Sequence, residues 1–211
     1  MKIVCISDTH NQLDKVVESI PNGDVLLHAG DMTFMGEENE IKKFNSDIGR
    51  LPHGIKIAIA GNHDWLFERD NRLARSLCTN FVYLEDEEYI LPNGLKVYGS
   101  PWQPEFCNWA FNLSRITGEL TEKWAKIPED TDILITHGPP HGILDMSRSG
   151  EQCGCQELRE RIRGLKKLKL HVFGHIQCNT GKYYDGRVHY FNASTCDEQY
   201  RPVNPAMVIE L

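Results

Sequence analysis

Five short apolar runs in this chain each end on a small residue, and the next residue is aspartate, asparagine or histidine. Asp8 follows KIVCI and Ser7, Asp31 follows DVLLH and Gly30, and Asn62 follows IKIAIA and Gly61; His137 closes DILIT after Thr136, and His175 follows KLHVF and Gly174. Runs of four to six Ile, Val and Leu bounded by Gly, Asp or Asn read as strands buried on both faces. Between the first three, Leu13, Val16, Val17 and Ile20, then Ile41, Phe44 and Ile48, recur at helical spacing, and Pro21, Gly49 and Pro52 stop them. The pattern is β-α-β-α-β, so the chain is expected to be α/β. In an open α/β sheet the carboxyl ends of the strands meet at one rim where ligands bind, and small residues there let backbone and ligand approach. Singly, Asp8 suits a helix cap and Asn62 a plain turn. Five oxygen and nitrogen donors placed after five strands point instead to a shared metal site.

The second half repeats the theme less regularly. Asn93-Gly94 between EEYIL and LKVYG marks a hairpin, Thr117 is the expected cap of a helix around Trp124, and Leu158, Ile162 and Leu165 give another helical stripe. YYDGRVHYF and PAMVIEL read as a hairpin and a closing strand. Residues 100–117 lack periodicity but are aromatic rather than rich in Gly and Ser, which predicts an ordered functional loop. No linker or repeat interrupts the 211 residues, so a single domain over 1–211 is expected.

The formal net charge is −7, which disfavours a long nucleic-acid partner, since that binding needs clustered Lys and Arg. Seven cysteines in irregular spacing leave at least one thiol unpaired, and a reducing compartment, the cytoplasm, is expected. The first apolar run is too short for a membrane span, and no membrane partner is expected. The sequence assigns no oligomeric state.

Ser7-Asp8-Thr9-His10, Gly30-Asp31, Gly61-Asn62-His63-Asp64, His137-Gly138 and Gly174-His175-Ile176-Gln177 resemble, in order, the five signature blocks of the calcineurin-like metallophosphoesterases. SPWQPEFCNWAF and the ending from Asn192 resemble the subgroup of metallophosphoesterase-domain-containing proteins, whose members resemble class III cyclic-nucleotide phosphodiesterases. The resemblance implies a four-layer fold, a β-sandwich of two mixed sheets flanked by helices, with two divalent metal ions at the rim. It implies that Asp8 and His10 bind the first metal, that Asp31 bridges, and that Asn62, His137 and His175 bind the second. Two such ions ~3.5–4 Å apart need a shared carboxylate, and bound water whose pKa falls from ~15.7 towards ~7 supplies hydroxide for in-line attack on phosphorus. Mixed O and N donors without thiolate suit Mn, with Fe, Zn, Ni or Mg as alternatives. His63 takes the family's role at the leaving oxygen, with Asp64 expected to orient it, so both are catalytic candidates.

The last block departs from the family's Gly-His-x-His, because Gln177 stands where an imidazole would bind the first metal. An amide oxygen is a poorer ligand, so a weakened first site is expected. Asn62, His63, Asn108, His141 and Arg148 are the substrate-binding candidates, although His141 suits a plain loop equally. Trp102, Phe106, Trp109 and Phe111 form either core or a stacking pocket. His28, His53, His171 and His189 read as structural, and Cys153-Gly154-Cys155 as small-residue packing. The expected activity is metal-dependent hydrolysis of small phosphodiesters such as nucleotides. The alternative is a nucleotide-binding protein with weak residual activity.

Overall fold

The computed structural model describes residues 1–211. The first half runs β1 (Lys2–Ile6), α1 (Leu13–Val16), β2 (Val25–His28), α2 (Glu38–Gly49), β3 (Ile55–Ala58), α3 (Trp65–Arg69), α4 (Asn71–Leu77) and β4 (Val82–Tyr83). The second half runs β5 (Glu87–Ile90), β6 (Lys96–Ser100), β7 (Gln103–Pro104), β8 (Asn112–Leu113), α5 (Glu119–Ala125), β9 (Ile133–Thr136), α6 (Gln156–Gly164), β10 (Leu170–Phe173), β11 (Gly181–Tyr184), β12 (His189–Asn192) and β13 (Met207–Glu210). One sheet has the order β13-β1-β2-β3-β4 and the other β11-β12-β10-β9-β6-β5. Their inner strands are parallel, whereas β13, β11 and β5 are antiparallel edges, so both sheets are mixed.

Side-chain alternation explains the four layers. Ile3, Cys5, Val25, Leu27 and Ile57 of the first sheet pack against Val97, Ile133, Ile135, Leu170 and Val172 of the second. The opposite faces turn outward to helices. Val4, Ile6 and Leu26 meet Leu13, Ile41, Phe44 and Ile48, while Tyr98, Leu134, Phe173 and Tyr190 meet Trp124, Leu158 and Ile162. The inner strands β1, β2 and β9 are therefore largely apolar on both faces, which is why these segments read as near-continuous Ile, Val and Leu runs. Full burial of each such side chain is worth about 1.5–3 kcal/mol.

Two local expectations change. Thr117 does not cap α5: Gly118 holds the N-cap position at φ 84°, and the Thr117 hydroxyl donates to Glu119. In residues 100–117 the β7 and β8 segments pair in parallel, and Phe111 is fully buried with Trp102 5.3 Å away. Lys123 covers the Trp102 ring at 3.6 Å, so these two aromatics belong to the core. No helix is long and apolar enough to cross a membrane.

Candidate metal centre

The carboxyl ends of β1, β2, β3, β9 and β10 deliver Asp8, Asp31, Asn62, His137 and His175 to one rim. The chain turns sharply there, with positive φ at Asp8 (50°), His10 (40°), Asp31 (55°) and His175 (66°). Such backbone is uncommon outside glycine and costs on the order of 1–3 kcal/mol per residue, and it gathers at functional sites. Loop-to-loop hydrogen bonds hold it, among them Asp8 N to Gly30 O (2.9 Å), His10 N to Asp31 O (3.1 Å) and Gly174 N to His137 O (2.9 Å).

The small residues of the sequence pattern have a definite cause. A Cβ on Gly174 would lie 1.9 Å from Asp8 Oδ2, and one on Gly61 would lie 2.3 Å from Asp31 Oδ1. Each glycine makes room for a carboxylate from a neighbouring loop. Overpacking of this kind costs about 1–3 kcal/mol. Gly174→Ala is expected to lower the melting temperature by about 2–12 °C, at roughly 2–4 °C per kcal/mol for a chain of this size. An unaltered thermal melt would show that the clash is relieved at no cost.

Asp31 is the hub. Its Oδ2 lies 3.4 Å from His137 Nε2, 3.8 Å from His10 Nε2 and 4.0 Å from His63 Nε2. Two clusters with metal-ligand spacing share it, namely His10, Asp31 and His63, and Asp31, His137 and His175. The imidazoles are fixed by their far nitrogens. Nδ1–H of His10 donates to Thr33 O (3.2 Å), that of His63 to Phe34 O (2.7 Å) and that of His137 to Ala29 O (2.9 Å). Each Nε2 is thereby aimed at the cleft.

His137 Nε2 also lies 3.0 Å from Asn62 Oδ1. An amide oxygen, a carboxylate oxygen and an imidazole lone pair converge on one point, an arrangement that calls for a cation among them. In the metal-free chain that cation is a proton. Burial opposes charge on His137, yet the Asp31 carboxylate outweighs it and pushes the imidazole up to about 9. Burial likewise raises Asp31, but the facing His137, His63 and His10 hold it well below the usual carboxylate range. Burial and then the charge on His137 push His175 down to about 3, leaving a neutral imidazole. The donor set thus fits divalent ions.

Asp8 stands at the edge of this array. Both of its carboxylate oxygens accept the His175 backbone N–H at 3.1 Å, and Oδ2 also accepts from Ser194 Oγ at 3.0 Å. The Gln177 amide nitrogen is 2.7 Å from His10 Nε2 and 3.5 Å from Asp8 Oδ1. Gln177 therefore turns a donor, rather than its carbonyl oxygen, onto the two groups expected to hold the first metal.

One expected contact is not formed. Asp64 does not touch the His63 ring: its buried carboxylate accepts from Gly61 N (2.8 Å), Met32 N (3.2 Å), Thr33 N (3.0 Å) and Thr33 Oγ1 (2.6 Å). It clamps the loop of Asp31 to the loop of Asn62, and the Phe34 carbonyl orients His63 instead. Asn108 is exposed and lines neither of the two cavities at the rim. Arg148 is 77% exposed and pairs with Glu198 at 3.6 Å, a side chain at the cleft mouth. His141 lines an adjoining cavity, whereas Asn62 and His63 line the metal cleft itself.

That cleft, of about 280 Å³, has Trp109, Phe106 and Tyr200 as aromatic walls. Trp109 lies 4.2 Å from the His63 ring and Tyr200 stands edge-on to His10 at 4.8 Å. Ser194 and Tyr200 are site residues that the sequence reading misses. Ala193-Ser194 follows directly on β12, so the rule of polar residues after strands reaches Ser194, but nothing local marks Tyr200.

The other singled-out residues are structural. His28 Nε2 meets Thr9 Oγ1 (3.0 Å), His171 Nε2 meets Thr136 Oγ1 (2.8 Å), His53 Nε2 donates to Pro21 O (3.1 Å) and His189 stacks on Tyr184 at 4.4 Å. Cys155 caps α6 by accepting from Leu158 N, and a Cβ on Gly154 would lie 2.7 Å from the His141 backbone.

The Calcineurin-like phosphoesterase family model matches residues 1–179. Metallophosphoesterase domain-containing protein 1 of Homo sapiens is 44% identical over 234 residues, spanning 100% of this chain and 71% of that protein. A UPF0046 protein of Caenorhabditis elegans is 37% identical, spanning 100% of this chain and 81% of its own length. Among solved structures, a protein of Thermus thermophilus superposes with a TM-score of 0.62 at 15% identity, covering 93% of this chain and 89% of that one. A structure described as a novel archaeal phosphodiesterase gives 0.50 at 15% identity, covering 99% and 100%.

Proposed function

The chain belongs to the calcineurin-like phosphoesterase family, a family of metal-dependent phosphoester hydrolases, and from that premise we propose that it hydrolyses small phosphodiesters such as nucleotides. One observation carries the preference for a diester. The metal cleft is lined by no Lys or Arg, and Glu198 adds a carboxylate at its mouth. A dianionic monoester would find no guanidinium inside the cleft to pair its second charge, whereas a diester brings a single charge.

Two divalent ions held around Asp31 would polarise phosphoryl oxygens and make a water acidic enough to attack at neutral pH. Manganese suits the O/N donor set. Among the chain's own groups, Asn62, His137 and His175 supply one side of the site, and His10 with Asp8 the other. His63, held by Phe34 O, presents Nε2 to the cleft and gives its proton to the departing oxygen. Trp109 backs that ring and shields it from water. Seven free thiols fit a reducing, cytoplasmic setting.

A second reading, a nucleotide-binding protein with weak residual hydrolysis, is favoured by the Gln177 amide nitrogen at His10 Nε2. The lone pair that would hold the first metal is already satisfied. One experiment separates the two: a Mn-supplemented comparison of bis(p-nitrophenyl) phosphate, p-nitrophenyl phosphate and cyclic nucleotides, run beside Gln177→His. Wild type is expected to turn over the diesters faster than the monoester. Gln177→His is expected to raise first-site affinity or kcat on the order of 10–100-fold, the range seen when groups supporting a metal ligand change. Faster monoester hydrolysis would overturn the diester preference. Inactivity on all substrates, together with tight mononucleotide binding, would establish the second reading.

A further inference from the structure

A second cavity of about 710 Å³ adjoins the metal cleft. The two share Phe106, Ser147, His175 and Ile176, but Asp31, Asn62 and His63 line only the cleft. The larger cavity thus opens from the His175 end of the site, away from the proton donor His63. Its size suits a ligand group rather than a few waters.

The lining has a definite chemistry. Gln103, Gln152 and Gln156 offer amides, and Phe106 and Pro139 offer an apolar face. Glu105 and Glu151 bring two carboxylates against the single guanidinium of Arg115. That guanidinium donates to the carbonyl oxygens of Cys153 (2.9 Å) and Gly154 (3.3 Å). A second phosphate would be repelled here, while an uncharged group bearing hydrogen-bond donors would be held. Gln103 sharpens this. It is 1% exposed, its Nε2 donates to Asn112 Oδ1 at 3.3 Å, and its Oε1 has no partner. A buried amide oxygen left without a donor is rare in a folded chain and is explained by a ligand that supplies one.

We propose that this cavity binds the ester group that stays on phosphorus, and that this group is an uncharged, nucleoside-like moiety presenting donors to Gln103 and Gln152. The assignment rests on the phosphodiesterase reading. In that hydrolysis the oxygen of water bonds phosphorus, and the P–O bond facing His63 breaks with its electron pair on the departing oxygen. That oxygen takes the His63 proton, and the proton left over from water restores His63. The group on the far side, towards His175, leaves as the phosphomonoester.

The test uses the Mn-loaded chain with two diesters. Thymidine 5′-monophosphate p-nitrophenyl ester loses nitrophenol and keeps the nucleoside on phosphorus, whereas bis(p-nitrophenyl) phosphate keeps an aryl group. In Gln103→Leu and in the exposed-site variant Gln152→Ala, KM for the nucleoside ester is expected to rise about tenfold relative to KM for the bis-aryl ester, the effect of one lost hydrogen bond. Calorimetric affinity for thymidine 5′-monophosphate should fall in parallel. Equal changes on both substrates, or no change on the nucleoside ester, would overturn the assignment. Should wild type hydrolyse neither diester, the catalytic reading fails, and the calorimetry alone decides the cavity: weakened binding in the variants supports it and unaltered binding overturns it.

Discussion

His63→Ala is expected to lower kcat by about 10²–10⁴, the contribution typical of a positioned general acid, while leaving bound metal at its wild-type level. The reasoning starts from the ring's fixed orientation. Nδ1–H is held by Phe34 O at 2.7 Å, Trp109 lies against one face at 4.2 Å, and Nε2 faces the cleft 4.0 Å from Asp31 Oδ2. Nε2 stands where the departing oxygen gains charge. A proton donor also leaves a signature that a scaffold residue would not. Departure of an alkoxide requires protonation, whereas nitrophenolate departs without it. The loss in His63→Ala should therefore be steep for a nucleoside or alkyl leaving group and shallow for nitrophenyl. An equal loss on both would remove the acid role, and a parallel loss of metal would make His63 a ligand.

The rim was legible in the sequence because its chemistry is local. A strand end fixes where the next side chain goes, and five such ends place Asp8, Asp31, Asn62, His137 and His175 together without any tertiary detail. The α/β character was legible for a similar reason, since buried strands and helical stripes alternate along the chain, whereas the four layers were implied only by the resemblance of the five blocks to the family. What did not follow depends on pairing between distant loops. Asp64 adjoins His63 in the chain, yet the turn at Gly61 sends its carboxylate to the amides of Met32 and Thr33, and the orienting group is a backbone carbonyl at Phe34 that no residue pattern reveals. Asn108 and Arg148 are polar residues in loops near the site, but chain proximity does not fix which way a loop side chain faces. Arg148 turns to Glu198, whose position comes from a segment 50 residues later. Tyr200 reaches His10 by the same long return. Gln177 was legible as a departure, though not that its amide would present nitrogen to His10.

Saturating Mn at about a thousand times its Kd is expected to raise the melting temperature by about 8–16 °C, and Asp31→Asn is expected to abolish that shift. A ligand bound only by the folded chain adds about 4 kcal/mol at that excess, and a chain of this size gains roughly 2–4 °C per kcal/mol. The variant is chosen on the local geometry. Asp31 sits at φ 55°, a backbone region that asparagine tolerates, and it is 2% exposed, so an isosteric replacement is required. Its Oδ1 accepts the His63 N–H at 2.9 Å, a bond that an asparagine carbonyl keeps. The other amide atom then places N–H where Oδ2 faces His137 Nε2 at 3.4 Å. That N–H satisfies the imidazole lone pair and removes the one carboxylate shared by both clusters. Metal-free Asp31→Asn should accordingly melt close to metal-free wild type, because the cation once needed among the converging acceptors is replaced by a hydrogen-bond donor. Wild type and variant would then differ only when Mn is present. A full Mn-dependent shift in Asp31→Asn would place the metals elsewhere, and a metal-free variant that fails to fold would show that the Asp31 charge itself holds the rim together.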